Sequence, residues 1–181
     1  MRALIIVDVQ NDFCPGGALP APEGDKVVPV LNRISDKFPL VVASRDWHPE
    51  DSVHFEKWPA HCVENSDGAD YHPELNKKNI KVHLLKGTGN IDDGYSAFEA
   101  TNENLELLLR EKGVDEVYIG GLTTEYCVKS TAIDSINKGF KTYVVKDAIE
   151  GVKQNPGDVD SALDEMKGAG IELITSSLIT K

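Results

Sequence analysis

Near the start of the chain stands the run Ala3-Leu4-Ile5-Ile6-Val7-Asp8, five aliphatic residues followed by a carboxylate. A half-buried strand would alternate apolar and polar residues, but this run is apolar at every position. Strands have this composition when helices cover both faces of a parallel sheet. The run therefore predicts a buried strand, with Asp8 at its carboxyl end.

Similar apolar runs recur along the chain and alternate with longer helical patterns. The six strand candidates are Ala3–Val7, Leu40–Ser44, Lys81–Leu85, Glu116–Ile119, Thr142–Val145 and Ile171–Ile174. The helical patterns cover Val27–Lys37, Glu99–Lys112, Glu125–Lys138 and Val159–Lys167. Strands that alternate with helices imply right-handed crossovers in an α/β domain. We expect one three-layer α/β/α domain over residues 1–181, with a mostly parallel six-stranded central sheet.

Composition argues against several classes of partner. The net charge is −11, and an acidic surface repels phosphate backbones, so we expect no nucleic-acid partner. We also expect no membrane partner, because no apolar run approaches the ~20 residues that a membrane span needs. The first run ends too early for a signal-peptide core. Three cysteines without a CxxC pair, Cys14, Cys62 and Cys127, predict free thiols and a cytoplasmic location.

Reactive side chains follow four of the predicted strands. Asp8 follows the first, Asp46 the second, Lys86 the third, and a turn that ends at Cys127 follows the fourth. Ligands of open parallel sheets bind beyond the carboxyl ends of the strands, so we expect these groups to meet at one edge. Each residue also has a simpler interpretation, since Asp8 could cap a turn, Lys86 could be solvated and Cys127 could be a buried, inert thiol.

Cys127 lies just inside a predicted helix start, with Thr124 as a reasonable N-cap and Glu125 in the first turn. The unpaired N–H groups of a helix start favour a thiolate, and a lysine ammonium acts in the same direction. A thiolate is the nucleophilic form of cysteine. The same N–H groups can bind the oxyanion that forms when a carbonyl is attacked. The pattern thus favours a cysteine nucleophile, supported by Asp8 and Lys86.

A second group of residues has the composition of a metal site. Asp46 and His48 are two positions apart in extended chain and so point to the same side, and His61 can return from the following loop. One carboxylate and two imidazoles suit zinc, iron or manganese, with coordination positions left open. His54 is the closest competitor for the third ligand. Aromatic residues near these motifs could wall a flat substrate or simply pack in the core, namely Phe13, Trp58 and Tyr95.

These residues lie in motifs that resemble the nicotinamidases of the isochorismatase-like cysteine hydrolases. The motifs occur in the family's order and are Val7–Phe13 with Pro15–Leu19, Ser44–Pro49, Trp58–Val63, Lys86–Gly87, Tyr95–Phe98 and Gly121–Val128. The match runs from the first strand to at least Asp147. The resemblance implies an isochorismatase-like fold and hydrolysis of nicotinamide to nicotinate and ammonia through a cysteine thioester, with pyrazinamide as a further expected substrate.

The resemblance also assigns roles to particular residues. It implies a triad of Asp8, Lys86 and Cys127, an oxyanion hole made by the N–H groups of Thr123 and Cys127, and a cis peptide between Leu122 and Thr123. It implies a divalent metal, zinc before iron or manganese, held by Asp46, His48 and His61. Phe13, Trp58 and Tyr95 match the positions that cover the substrate ring. Relatives form dimers and larger assemblies, so a homo-oligomer is expected.

Two departures from the family pattern concern the pocket. Thr123 stands where most nicotinamidases have alanine, and the segment from Asp46 to His61 is short, so that Glu56 or His54 could approach the metal. The alternative function is that of a related cysteine hydrolase acting on N-carbamoyl or ureido amides, but such relatives generally lack the metal residues. A non-catalytic ligand-binding protein would be expected to have lost a member of the triad.

Overall fold

A parallel sheet of six strands forms the centre of the molecule. The computed structural model describes residues 1–181, and its strands are β1 Arg2–Val7, β2 Leu40–Asp46, β3 Val82–Lys86, β4 Glu116–Leu122, β5 Lys141–Glu150 and β6 Glu172–Ile174. The strand order is β3-β2-β1-β4-β5-β6, and every neighbouring pair is parallel. The predicted fold class is confirmed, and the sheet is wholly parallel.

Helices cover both faces of this sheet, which explains why β1 is apolar throughout. The α-helices are α1 Val27–Ser35, α2 Leu105–Glu111, α3 Lys129–Asn137 and α4 Asp158–Gly168. Leu4 and Ile6 of β1 pack in the core cluster that contains residues of α1. Ile5 and Val7 point the other way, into a second cluster with residues of α2, α3 and α4. Alternate residues of one strand therefore serve two cores.

The predicted helix over Glu99–Lys112 is wrong in its first half, because α2 begins only at Leu105. The side chain of Asn104 caps α2 by accepting a hydrogen bond from the N–H of Leu107 at 3.0 Å. The preceding residues pair instead with β3, the edge strand. Asn102 accepts from the N–H of Leu85 at 2.8 Å and donates to the carbonyl of His83 at 2.9 Å. These bonds satisfy backbone groups that the edge of a sheet would otherwise leave unpaired.

The connection between β2 and β3 contains no α-helix, as the sequence indicated. It holds three 3₁₀ turns, at Val53–Glu56, Asp67–Ala69 and Lys77–Asn79. Asp12 anchors this connection, since its Oδ2 accepts a hydrogen bond from the N–H of Cys62 at 2.7 Å. The connection therefore lies over the carboxyl ends of β1 and β2. No helix of this structure has the length and apolar character that crossing a membrane requires.

Candidate active site

The Lys86 ammonium, at the end of β3, contacts the reactive groups of three other strands. Its Nζ lies 2.5 Å from Oδ1 of Asp46, 2.8 Å from Oδ2 of Asp8 and 3.3 Å from Sγ of Cys127. It also donates a hydrogen bond to the carbonyl of Gly94 at 2.7 Å. The side chains of Lys86 and Asp8 are fully buried, and Asp46 and Cys127 are nearly so. The structure thus brings the predicted acid, amine and thiol together at one edge of the sheet.

Asp8 sits just beyond β1 in a left-handed backbone conformation, with φ of 47°. Such strain in a non-glycine residue persists only where the surroundings enforce it, and functional sites are typical locations. The hydroxyl of Ser44 donates to Oδ1 of Asp8 at 2.7 Å. Oδ2 is thereby directed to Lys86, and an oxygen of this carboxylate lies within 4.8 Å of the Cys127 sulfur. The carboxyl group is placed to exchange a proton with the thiol.

Burial dominates the electrostatics of Asp8 and Cys127. It raises the pKa of Asp8, which Lys86 opposes only in part. It also raises the pKa of the Cys127 thiol well above its usual value, against the lowering effect of Lys86. The sequence led us to expect that the helix start and the lysine favour a thiolate, but burial of the thiol and the two nearby carboxylates outweigh the effect of Lys86. Burial therefore favours the neutral forms of both the Asp8 carboxyl group and the Cys127 thiol.

Lys86 and Asp46, the other two charged groups of the site, form an ion pair. Burial alone would lower the pKa of Lys86, but the carboxylates of Asp46 and Asp8 outweigh it, and the pKa is raised. Burial alone would raise the pKa of Asp46, yet Lys86 and His48 hold it below the usual range. Both shifts favour the charged forms, the Lys86 ammonium and the Asp46 carboxylate.

Cys127 is presented by a turn that joins β4 to α3. The peptide between Leu122 and Thr123 is cis, as the resemblance implied. A single π-helical turn follows over Thr124–Val128, and the N-cap position is occupied by Thr123 instead of the predicted Thr124. The backbone of Gly121 approaches β1 so closely that a Cβ atom there would lie 2.1 Å from the carbonyl oxygen of Val7. This close approach holds the thiol turn against the strand that carries Asp8.

A second cluster adjoins the first through Asp46. Oδ2 of Asp46 lies 3.5 Å from Nε2 of His48 and 3.9 Å from Nε2 of His61. The opposite ring nitrogens lie near backbone carbonyls, with Nδ1 of His48 2.9 Å from the Gly87 oxygen and Nδ1 of His61 2.7 Å from the Pro59 oxygen. This arrangement directs both Nε2 atoms inward, as at metal sites whose histidines are oriented by carbonyl groups.

The cluster has the properties expected of a cation site. Its three ligand atoms all lie within 4.8 Å of one another, and the residues that supply them are buried. Nε2 of His48 is buried without a hydrogen-bond partner. An imidazole nitrogen in that position is costly to bury unless a ligand occupies it. The residues present therefore fit a divalent metal ion, since one carboxylate and two imidazoles form a common donor set.

The structure distinguishes between His54 and Glu56, the two further candidate ligands for this cluster. His54 is buried, its ring centroid lies 4.5 Å from that of His48, and its Nε2 has no hydrogen-bond partner. Glu56 is exposed to solvent. Of the two residues, only His54 is a neighbour of the cluster.

Gln10 has a role in the site that sequence reasoning missed. Its fully buried amide donates to the carbonyl of Asp46 at 2.8 Å and accepts from the N–H of Asp46, also at 2.8 Å. A third bond joins Gln10 to the carbonyl of Ala69 at 2.8 Å. The side chain thereby holds the backbone of the carboxylate that both clusters share. The sequence signals were its place two residues after Asp8 and its position inside the motif Val7–Phe13.

A pocket opens between Cys127 and the second cluster. The three aromatic residues expected there, Phe13, Trp58 and Tyr95, all line it. Thr123, already expected at the site, also lines it, and four further lining residues were given no role in the sequence analysis, namely Leu19, Gly94, Tyr126 and Val152. Tyr126 meets Trp58 edge to face, with ring centroids 4.9 Å apart. Position beside Cys127 could have indicated Tyr126, whereas nothing in the sequence marks Val152.

Comparison with known families agrees with this geometry. The model of the isochorismatase domain family matches residues 2–177. The chain therefore belongs to the isochorismatase family, as its motifs predicted.

Within this family, the chain is similar to individual proteins named as nicotinamidases and pyrazinamidases. The chain is 40% identical to a nicotinamidase of Escherichia coli, over 96% of this chain and 94% of the relative. It is 45% identical to a pyrazinamidase of Pyrococcus horikoshii solved in complex with zinc, with a TM-score of 0.87 over 96% of this chain and 98% of the other. PnC1 of L. infantum, solved in complex with nicotinate, superposes with a TM-score of 0.93 at 34% identity, over 99% and 95% of the two chains.

Proposed function

We propose that this protein is a nicotinamidase, which hydrolyses nicotinamide to nicotinate and ammonia through a thioester on Cys127. The observation that carries the proposal is the contact of Lys86 with Asp8, Asp46 and Cys127, beside a metal-type cluster and across an aromatic pocket. The chain is a hydrolase of amide bonds, in agreement with its curated nicotinamidase relatives at high coverage. The complete set of reactive residues argues against a non-catalytic binding protein.

Asp46, His48 and His61 would hold a divalent metal ion, and zinc is the ion we favour. The donor set suits zinc, and the Pyrococcus horikoshii relative was solved with zinc. A cation held there would supply a Lewis acid for a ring nitrogen of the substrate. The orientation of both histidines by backbone carbonyls supports this assignment.

The chain's own residues account for the chemical steps. Asp8 accepts the proton of the Cys127 thiol, and its raised pKa makes it a better base than an exposed carboxylate. The thiolate attacks the carboxamide carbon; Lys86 stabilises the negative charge on Asp8 before the proton transfer and on sulfur after it. The N–H groups of Thr123 and Cys127 form the oxyanion hole for the tetrahedral intermediate.

Collapse of that intermediate breaks the C–N bond and forms the thioester. Asp8 now returns its proton to the departing amine, which leaves as ammonia. A water molecule then gives a proton to Asp8 and attacks the thioester carbon. The C–S bond breaks to release the acid, and Asp8 returns the proton to the departing thiolate, which restores the thiol. One carboxyl group thus acts in turn as base and acid, a role that suits its raised pKa.

The pocket favours an aromatic carboxamide whose ring nitrogen is meta to the carboxamide. Nicotinamide has this relation, and so does pyrazinamide, which we therefore propose as a second substrate. Phe13, Trp58 and Tyr95 would cover the faces and edges of the ring. N-carbamoyl and ureido amides have no ring nitrogen for the cluster of Asp46, His48 and His61. We further propose a cytosolic location, which the three free cysteines support.

The test is ammonia release from nicotinamide, pyrazinamide and an N-carbamoyl amide by the purified protein, before and after chelation. We expect release from both pyridine-type amides, its loss on chelation and its return when zinc or manganese is added. Release from the N-carbamoyl amide alone, or activity that is insensitive to a chelator which demonstrably strips the metal, would overturn the assignment.

A further inference from the structure

The loop that follows β5 contributes one residue to the pocket, and that residue is Val152. The loop reads Gly151-Val152-Lys153-Gln154-Asn155 and precedes α4. Val152 is its only aliphatic side chain, and it is partly exposed. A single apolar residue turned into a pocket, within an otherwise polar loop, is suited to limiting the size of what binds there.

The loop is held to the turn that carries Cys127 by two neighbouring side chains. The buried carboxylate of Glu125 accepts a hydrogen bond from the N–H of Lys153 at 2.9 Å. The hydroxyl of Tyr126 donates to Oε1 of Gln154 at 3.0 Å. Gly151 allows this approach, because a Cβ atom there would lie 2.3 Å from Oε2 of Glu125. The position of the loop is thus coupled to the residues directly before the nucleophile.

The far end of the loop is also fixed. The N–H of Asn155 donates to Oδ2 of Asp158, at the start of α4, at 2.9 Å. Lys153 takes up a left-handed conformation with φ of 59°, and its ammonium lies 2.6 Å from a carboxylate oxygen of Glu150. Both ends of the segment are therefore tethered, and Val152 is held at a defined place in the wall.

We propose that Val152 is a specificity-determining residue that restricts the substituents on the substrate ring, and that Glu125 and Tyr126 are positioning residues for it. The inference rests on the proposed function. With the ring nitrogen at the cluster of Asp46, His48 and His61, and the carboxamide at Cys127, ring carbon C5 is the atom meta to both. We place C5 against the apolar wall of the pocket, which includes Val152.

The experiment compares nicotinamide with nicotinamide methylated at C5. In Val152→Ala, the ratio of kcat/KM for the methylated amide to that for nicotinamide should rise by about tenfold, the effect of a methyl-sized space in an apolar pocket. Gln154→Met removes the acceptor of the Tyr126 hydroxyl and should raise the ratio by a smaller factor. Val30→Ala, a matched truncation on α1 away from the pocket, should leave the ratio unchanged.

The outcomes separate this inference from the proposed function. Hydrolysis of nicotinamide by the wild-type protein, with the same substrate ratio in Val152→Ala as in the wild type, would overturn the role of Val152 alone. A wild-type protein that does not hydrolyse nicotinamide would overturn the proposed function and this inference with it. If the ratio also rose in Val30→Ala, the cause would be a general loosening of the protein. That result would contradict a specific role of Val152 in the pocket wall.

Discussion

Lys86 has an unusual environment for a lysine, because its ammonium is fully buried between two carboxylates and a thiol. A buried cation of this kind is costly to desolvate. Its carboxylate partners in turn depend on it, because without the cation their buried negative charges would be uncompensated. The side chain therefore serves two purposes. In the proposed mechanism it stabilises charge during the reaction, and in the fold it allows Asp8 and Asp46 to be buried near each other.

Replacing Lys86 tests this dependence. Lys86→Met removes the cation while keeping the apolar stem, and we expect the metal-free protein to lose about 3–5 kcal/mol of unfolding free energy in urea titrations. Lys129→Met is the matched control, since it breaks an ion pair with Glu165 near the surface, and should cost at most about 1 kcal/mol. Equal losses in the two variants would refute the structural role of Lys86.

At the scale of the elements, short turns after the strands orient the site. The residue after β3 is Gly87, whose φ is +64° and whose carbonyl lies beside Nδ1 of His48. A Cβ atom on Gly87 would lie only 2.5 Å from Cε1 of His48. The glycine is required here for the approach of the imidazole as well as for the left-handed backbone.

A pair of glycine substitutions distinguishes these two requirements. Gly87→Ala and Gly113→Ala both place alanine at a left-handed position, since Gly113 has φ of +67°, but Gly113 has no atom within 4 Å of its added Cβ. The left-handed backbone should cost each variant about 1–2 kcal/mol of stability, and Gly87→Ala should lose more because of its contact with His48. Only Gly87→Ala should lower zinc affinity, by about 10–100-fold, because it displaces His48. Equal zinc affinities, measured by competition with a chelator, would contradict the account.

The elements also show where sequence reasoning succeeds and where it fails. Apolar runs such as Ala3–Val7 were recognisable because every residue packs in a core, whichever face it points to. The start of α2 was missed because Asn102 forms long-range bonds to β3, which local periodicity does not encode. Val152 was missed for the same reason, since only the tethered loop brings it to the pocket.

At the scale of the whole molecule, the strand order places the site. β1 has β2 on one side and β4 on the other. The connections that follow the strands on the two sides therefore leave in opposite directions, and a crevice opens between them at the carboxyl ends of the strands. Asp8, Asp46, Lys86 and the turn of Cys127 could be expected there because each ends or follows a strand. Their distances could not be expected, because they depend on strand register and on side-chain contacts across the sheet.

Metal binding should be visible as stability of the whole molecule. A ligand that binds only the folded state stabilises it by about 2.7 kcal/mol at one hundred times its Kd. We expect zinc to raise the Tm of the wild-type protein and a chelator to reverse the rise. His61→Ala should abolish the shift, whereas His72→Ala, at a histidine outside the cluster, should preserve it. A full zinc shift in His61→Ala would exclude His61 as a ligand.

The most direct test of the central claim is the rate of ammonia release from nicotinamide by metal-loaded wild-type protein and by Cys127→Ala with the same metal content. We predict sustained release by the wild type and a fall of about 10⁴-fold or more in the variant, the scale seen when a nucleophile is removed. The variant should remain folded, because a thiol is a small part of the buried site. Release that survives in Cys127→Ala, or that is absent from the wild type, would contradict the account.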